Sequence, residues 1–207
     1  MNNYAKLTSG LIVAWFTFSL LASALSLFQN NVNGFGITIA FAALIPLLIF
    51  AVWFAGSRKF RQFALSVDPS VLTAAQTWRI LGFVFLLLQA RTLLPAMFAL
   101  PAGYGDMAIG ITATAVAWKL ANPAHRGTFI AWQLFGIADL VTAVALGTTA
   151  SLIHPSGVTM YPMTVLPLSL IPTFLVPLFL MLHVISIAQA LKWKSVPAGV
   201  LRTALAR

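Results

Sequence analysis

The chain has no cysteine and no glutamate. The first absence excludes disulfides, thiolate nucleophiles and Cys-ligated metal or iron–sulfur centres. The second leaves aspartate as the only carboxylate for two-carboxylate chemistry, and there are only three: Asp68, Asp106 and Asp139. Charge of any kind is scarce, 7% of 207 residues, against about 25% in soluble domains. With 60% hydrophobic residues and a mean hydropathy of +0.96, the chain has no polar coat to dissolve it. The bilayer must be its solvent and its first partner. Nucleotide-binding, zinc and calcium-loop motifs are also missing, so no cofactor and no metal are expected. The 12 Lys and Arg give a formal net charge of +9, but they sit between apolar runs and form no basic face. That pattern points to membrane topology and away from nucleic acid.

A membrane-crossing helix needs about 20 apolar residues. Six stretches qualify: Leu7 to Phe28, Phe35 to Ala55, Val71 to Leu94, Gly103 to Ala121, Thr128 to Ala150 and Leu168 to Leu191. Asn30-Asn31-Val32-Asn33-Gly34 reads as a tight polar turn, Asp68 as a helix cap, and Pro95 and Pro101 as brackets of a turn. Pro167, Pro172 and Pro177 predict a kinked outer half for the sixth span. Lys6, Arg58, Lys59, Arg61, Lys119, Arg126, Lys192, Lys194, Arg202 and Arg207 all fall on one side of a six-span layout. The positive-inside rule then puts both termini in the cytoplasm, in a bacterial-type inner membrane. Lys6, an apolar run and Ala22-Ser23-Ala24 resemble a cleaved secretory signal, but the run continues through Leu27-Phe28, which suits an uncleaved span. The expected fold is an all-α six-helix transmembrane bundle over residues 1–194, with a short basic tail over 195–207 and no soluble domain.

Charges inside spans are expensive, about 2.5–3.5 kcal/mol each at mid-bilayer on insertion scales. Arg79, Asp106, Asp139 and His183 lie inside. Asp106 is 13 residues from Lys119 and Asp139 13 from Arg126, so each sits ~20 Å from the basic edge. Arg79 and His183, at ~15 and ~13 Å, fall in the same slab. Small residues share a face with each aspartate: Gly103, Gly110, Ala113 and Ala117 with Asp106, and Gly136, Ala143 and Gly147 with Asp139. Gln76, Arg79 and Phe83 read as one face of the third span, and Ser169, His183 and Ser186 as one of the sixth. Arg91, near the outer end of the third span, can snorkel to the interface. The expected site is Arg79, Asp106, Asp139 and His183, helped by Gln76, Arg91 and Ser186. Two Asp and two Arg would balance in charge, with Asp139 near Arg79 and Asp106 near Arg91 or Arg79. A haem held by two histidines is excluded, because His125 and His154 fall in loops.

Gly103-Tyr104-Gly105-Asp106 resembles the GxGD motif of the intramembrane aspartyl proteases, the presenilin and prepilin-peptidase group. The resemblance implies a catalytic role for Asp106, with Asp139 as the partner that shares a proton and activates water. It covers four residues. In that family the other aspartate precedes the GxGD span, whereas Asp139 follows it. The family's Tyr-Asp pair is absent, and Val165-Leu166-Pro167-Leu168 only echoes its Pro-Ala-Leu element.

Three functions follow from these residues. The polar slab binds or translocates a small solute or protons. Alternatively, its ion pairs only fix helix packing in a structural or accessory subunit, assembled with itself or with a membrane-complex partner. In the third, Asp106 and Asp139 form a protease-like pair.

Overall fold

The computed structural model describes residues 3–30, 34–153 and 157–193. The expected basic tail, 195–207, lies outside them, as do Asn31 to Asn33 of the expected turn. The described residues form helices and no strand. These are α1 (Asn3–Ala24), α2 (Ile37–Gly56), α3 (Arg58–Ser66), α4 (Pro69–Ala74), α5 (Phe83–Ala90), α6 (Ala96–Lys119), α7 (Arg126–Ile153) and α8 (Val176–Ala190). A 3₁₀ segment, Ala75–Gly82, joins α4 to α5, so Pro69 to Ala90 runs as one helical rod. A π-helical turn, Ile171–Leu175, precedes α8.

Five helical segments are long and apolar enough to cross a membrane: Asn3–Ala24, Ile37–Gly56, Pro69–Ala90, Pro123–Ile153 and Ile171–Ala190. The fold is thus a helical bundle of the membrane type. α6, at 24 residues, is long enough but is not among the five. Pro101, Gly103, Tyr104, Gly105, Asp106 and Gly110 dilute its apolar character. α6 can carry them because it is the inner helix, packed against the Pro69–Ala90 rod and α7. Protein meets the Asp106 carboxylate, whereas Tyr104 is exposed.

Local chemistry explains the ends. Asp68 caps α4, its Oδ1 accepting from the Ser70 amide at 2.8 Å. Asn122 does the same for the turn before α7, accepting from the Ala124 amide at 3.1 Å. α1 and α5 close with paired backbone bonds in the Schellman pattern, Leu27 N to Ala22 O with Ser26 N to Ser23 O, and Leu93 N to Leu88 O with Thr92 N to Gln89 O. Ser26 (φ 60°) and Thr92 (φ 54°) take the left-handed position that glycine usually fills.

Several boundaries differ from the sequence expectation: α1 ends at Ala24, not Phe28, and the third span at Ala90, not Leu94. α6 starts at Ala96, not Gly103. Pro95 is its N-cap and Pro101 lies inside it, so the turn is Arg91 to Leu94. The sixth span starts at Ile171, three residues late, with Pro172 in the π-helical turn and Pro177 in the first turn of α8. Pro177 has no N–H to offer Thr173 O. That carbonyl instead accepts the Trp15 indole N–H at 3.1 Å, tying α1 to the bundle. α3, an amphipathic helix with Phe60 and Ala64 buried, was not anticipated.

The basic helix ends gather at one end of the bundle. Tyr4 of α1 stacks near Phe63 of α3, with ring centroids 6.3 Å apart. Gln189 of α8 donates to Val67 O at 2.6 Å, and Arg126 of α7 to Leu191 O at 3.4 Å. At the other end the Phe35 amide donates to Ser151 Oγ at 3.0 Å and the Tyr161 hydroxyl to Gln29 Oε1 at 2.9 Å.

Candidate functional site

The site begins with a period of three. The buried residues of the Pro69–Ala90 rod include Thr73, Gln76, Arg79, Gly82 and Phe85. In an α-helix steps of three drift around the axis. In a 3₁₀-helix residues i and i+3 eclipse. The 3₁₀ segment therefore lines Gln76, Arg79 and Gly82 up on one edge. Phe83, expected on this face, is 40% exposed for the same reason.

Glycines let the neighbouring helices reach that edge. A Cβ on Gly110 of α6 would strike the backbone at Arg79 and Ile80, and one on Gly103 would meet Leu86 Cδ2 at 2.6 Å and Gly82 O at 3.2 Å. The same close fit admits the polar side chains. Asp106 packs where a Cβ on Gly82 would be, Asp139 where one on Gly105 would be, and the His183 ring where one on Gly136 would be. Each site residue is thus seated on a glycine of another element.

The Arg79 guanidinium is the hub, and the residue is 3% exposed. Nε donates to Asp106 Oδ1 at 2.6 Å, and Nη2 donates to Asp139 Oδ2. Nη1 donates to the Gly136 carbonyl at 3.3 Å and to His183 Nε2 at 3.2 Å. These are the two ion pairs among the described residues, and one cation serves both. The side chains of Asp106 and Asp139 keep 14% and 10% of their exposure, while that of Arg79 keeps 1%.

Hydrogen-bond roles settle the state of His183. Guanidinium only donates, so His183 Nε2 must accept. Nδ1 then carries the proton and donates to Gln133 Oε1 at 2.5 Å. Gln133 Nε2 donates to Thr73 Oγ1 at 3.1 Å, and the Thr73 hydroxyl to Pro69 O at 2.8 Å. One directed chain thus runs from Arg79 to the start of α4, and in it the imidazole is neutral.

Apolar packing closes the cluster along the bundle axis. Towards the end opposite the basic one lie Phe85, Phe98, Ala102, Ala150 and Met160. Towards the basic end lie Val116, Phe129 and Ala190.

Arg79, Asp106, Asp139 and His183 are therefore in direct contact. Gln76 is one turn away, with its amide donating to Phe179 O at 3.3 Å and its Oε1 without a partner. Ser186, one turn below His183, is buried with a free hydroxyl. Ser169 is elsewhere, bonded to Ser23 at 2.8 Å. Arg91 caps α5, is exposed and joins neither ion pair. The expected balance of two Asp by two Arg is thus corrected: two carboxylates share one guanidinium. Gln133 and Thr73 escaped the sequence reading. A signal existed, since Gln133, Gly136 and Leu140 fall at i, i+3 and i+7 on one face of α7.

No curated protein and no solved structure matches the chain. Residues 34–191, well over half of the chain and including every member of the cluster, match the model of a domain of unknown function, DUF8737, and the protein belongs to that family.

Proposed function

We propose that the Arg79 cluster binds a proton within the membrane and passes it on, in a chain that crosses a bacterial-type cytoplasmic membrane six times with both termini on the basic side. The observation that carries the reading is the charge count. Two aspartates face one guanidinium and a histidine that is neutral in its hydrogen-bonded role. One negative charge is left over, between two apolar cores. A net charge there is strongly unfavourable, and one proton on either carboxyl removes it. The carboxylates, not the guanidinium, retain exposure, so they are the groups a proton can reach. α6 serves as the sixth crossing, shielded by its neighbours.

The test is proton flux into liposomes loaded with a pH-sensitive dye, under an imposed membrane potential. Wild type should acidify the lumen faster than empty liposomes. Asp139→Asn, which removes the surplus charge, should abolish the difference while melting near the wild-type temperature. Flux that needs sodium would move the reading from a proton to a metal cation. Because the chain has no cysteine, single cysteines at Gln62 and Lys192 should report the topology by labelling from the cytoplasmic side.

A second reading has its own support. Both ion pairs fit against glycines, as a device that only fixes helix packing would. It predicts no flux from wild type, and copurification with a fixed partner.

A further inference from the structure

A second feature lies away from the polar cluster. α1 and α2 meet at Ala22, Phe28 and Ile39 near one end. At the other end α3 bridges them, through Tyr4 against Phe63 and Trp53 stacked on Phe60 with ring centroids 3.8 Å apart. Between these two closures a cavity of about 800 Å³ opens, backed by Leu178, Leu182 and Ile185 of α8. Neither Arg79 nor either buried aspartate lines it. It follows α2 from Thr38 to Trp53, 15 residues apart, or ~22 Å of helical rise.

Its lining decides what fits: it is apolar apart from scattered hydroxyls such as those of Thr8 and Thr38, which suits hydrocarbon chains. α2 itself is nearly bare: Ile39 is its one buried residue. Something apolar must cover its inner face.

The charge beside the cavity chooses the headgroup. Arg58 and Lys59 are exposed at the start of α3, next to Phe60 in the cavity wall. Lys6 is exposed two residues after Tyr4, which packs on the same helix. Arg61 is occupied, donating to Phe54 O at 3.3 Å and Ala55 O at 3.1 Å at the end of α2. Asp68, the one acidic residue at this end, is engaged as the α4 cap. We propose that the groove between α1 and α2 binds an anionic glycerophospholipid, with its acyl chains along α2 and α8 and its phosphate against Arg58, Lys59 and Lys6.

The experiment is native mass spectrometry of the purified full chain, titrated with phosphatidylglycerol and with phosphatidylcholine of the same acyl chains. Each basic residue beside the phosphate should contribute about a fivefold preference. Wild type should therefore bind phosphatidylglycerol at least tenfold more tightly than phosphatidylcholine. Arg58→Gln with Lys59→Gln, both at exposed positions, should abolish most of that preference and leave phosphatidylcholine binding unchanged. Ile45→Trp, at a lining position already 49% exposed, should weaken both lipids by occupying the groove. Equal affinity of wild type for the two lipids would overturn the proposal. So would displacement of phosphatidylglycerol by millimolar inorganic phosphate, or a lipid-free dimer in which α2 is covered by a second copy.

Discussion

The carboxylate of Asp139 lies over Gly105, in the space that a side chain at that position would need. This relationship explains why the Gly-x-Gly-Asp run is there. Gly105 makes room for the second aspartate, Gly103 lets Leu86 and the Gly82 carbonyl approach, and Asp106 reaches Arg79. None of these roles requires peptide hydrolysis.

Filling that space should be costly. Gly105→Ala and Gly136→Ala should each destabilise the protein by about 1–3 kcal/mol, as overpacked interiors do, because Asp139 or His183 must move. Gly127→Ala, where a Cβ meets nothing within 4 Å, should be neutral or stabilising by up to about 1 kcal/mol from helix propensity. Melting curves in detergent separate the cases. Equal behaviour of all three variants would mean that the glycines do not seat the site.

The shared guanidinium makes the cluster asymmetric to substitution. Arg79→Gln leaves two carboxylates without a cation, and removing one partner of a buried pair is worth roughly 3–5 kcal/mol. Arg79→Lys should rescue little, since a point charge cannot serve acceptors spread around a planar fork. Asp139→Asn keeps an oxygen for Nη2 and cancels the surplus charge, so its effect should stay within about 1 kcal/mol. Chemical denaturation of the three variants gives the order. If Asp139→Asn proves as damaging as Arg79→Gln, the charge count is wrong.

The tautomer of His183 is open to direct observation. Nitrogen-15 NMR of labelled protein should show a neutral ring protonated at Nδ1, with Nε2 bare. Gln133→Leu removes the acceptor for that proton and the donor to Thr73. It should destabilise by about 1–3 kcal/mol, the penalty of an unsatisfied buried polar group. A proton found on Nε2 in wild type would contradict the bond from Arg79.

Much of this was legible from residues alone. The common depth of Arg79, Asp106, Asp139 and His183 follows from counting residues to the basic helix ends. The small-residue faces around both aspartates follow from helical spacing. The facing of the third span was not legible, because a 3₁₀ segment has the same composition as an α-helix but a different period. That change moved Phe83 off the face and put Gly82 on it. The depth of Arg91, near a span end, is compatible with pairing. Only the turn at Thr92 shows that it stays outside. Gln133 is not legible in the sequence because an amide carries no charge to balance, yet it accepts the Nδ1 proton of His183.

The central claim is that the shared guanidinium leaves room for one proton, and infrared spectroscopy tests it most directly. Wild-type protein in lipid at neutral pH should show the carbonyl stretch of one protonated carboxyl group. That band should disappear in Asp139→Asn or Asp106→Asn, where a single carboxylate remains paired with Arg79. Absence of a protonated carboxyl in wild type, with spectra of both variants unchanged in that region, would contradict it and leave the cluster as a packing device.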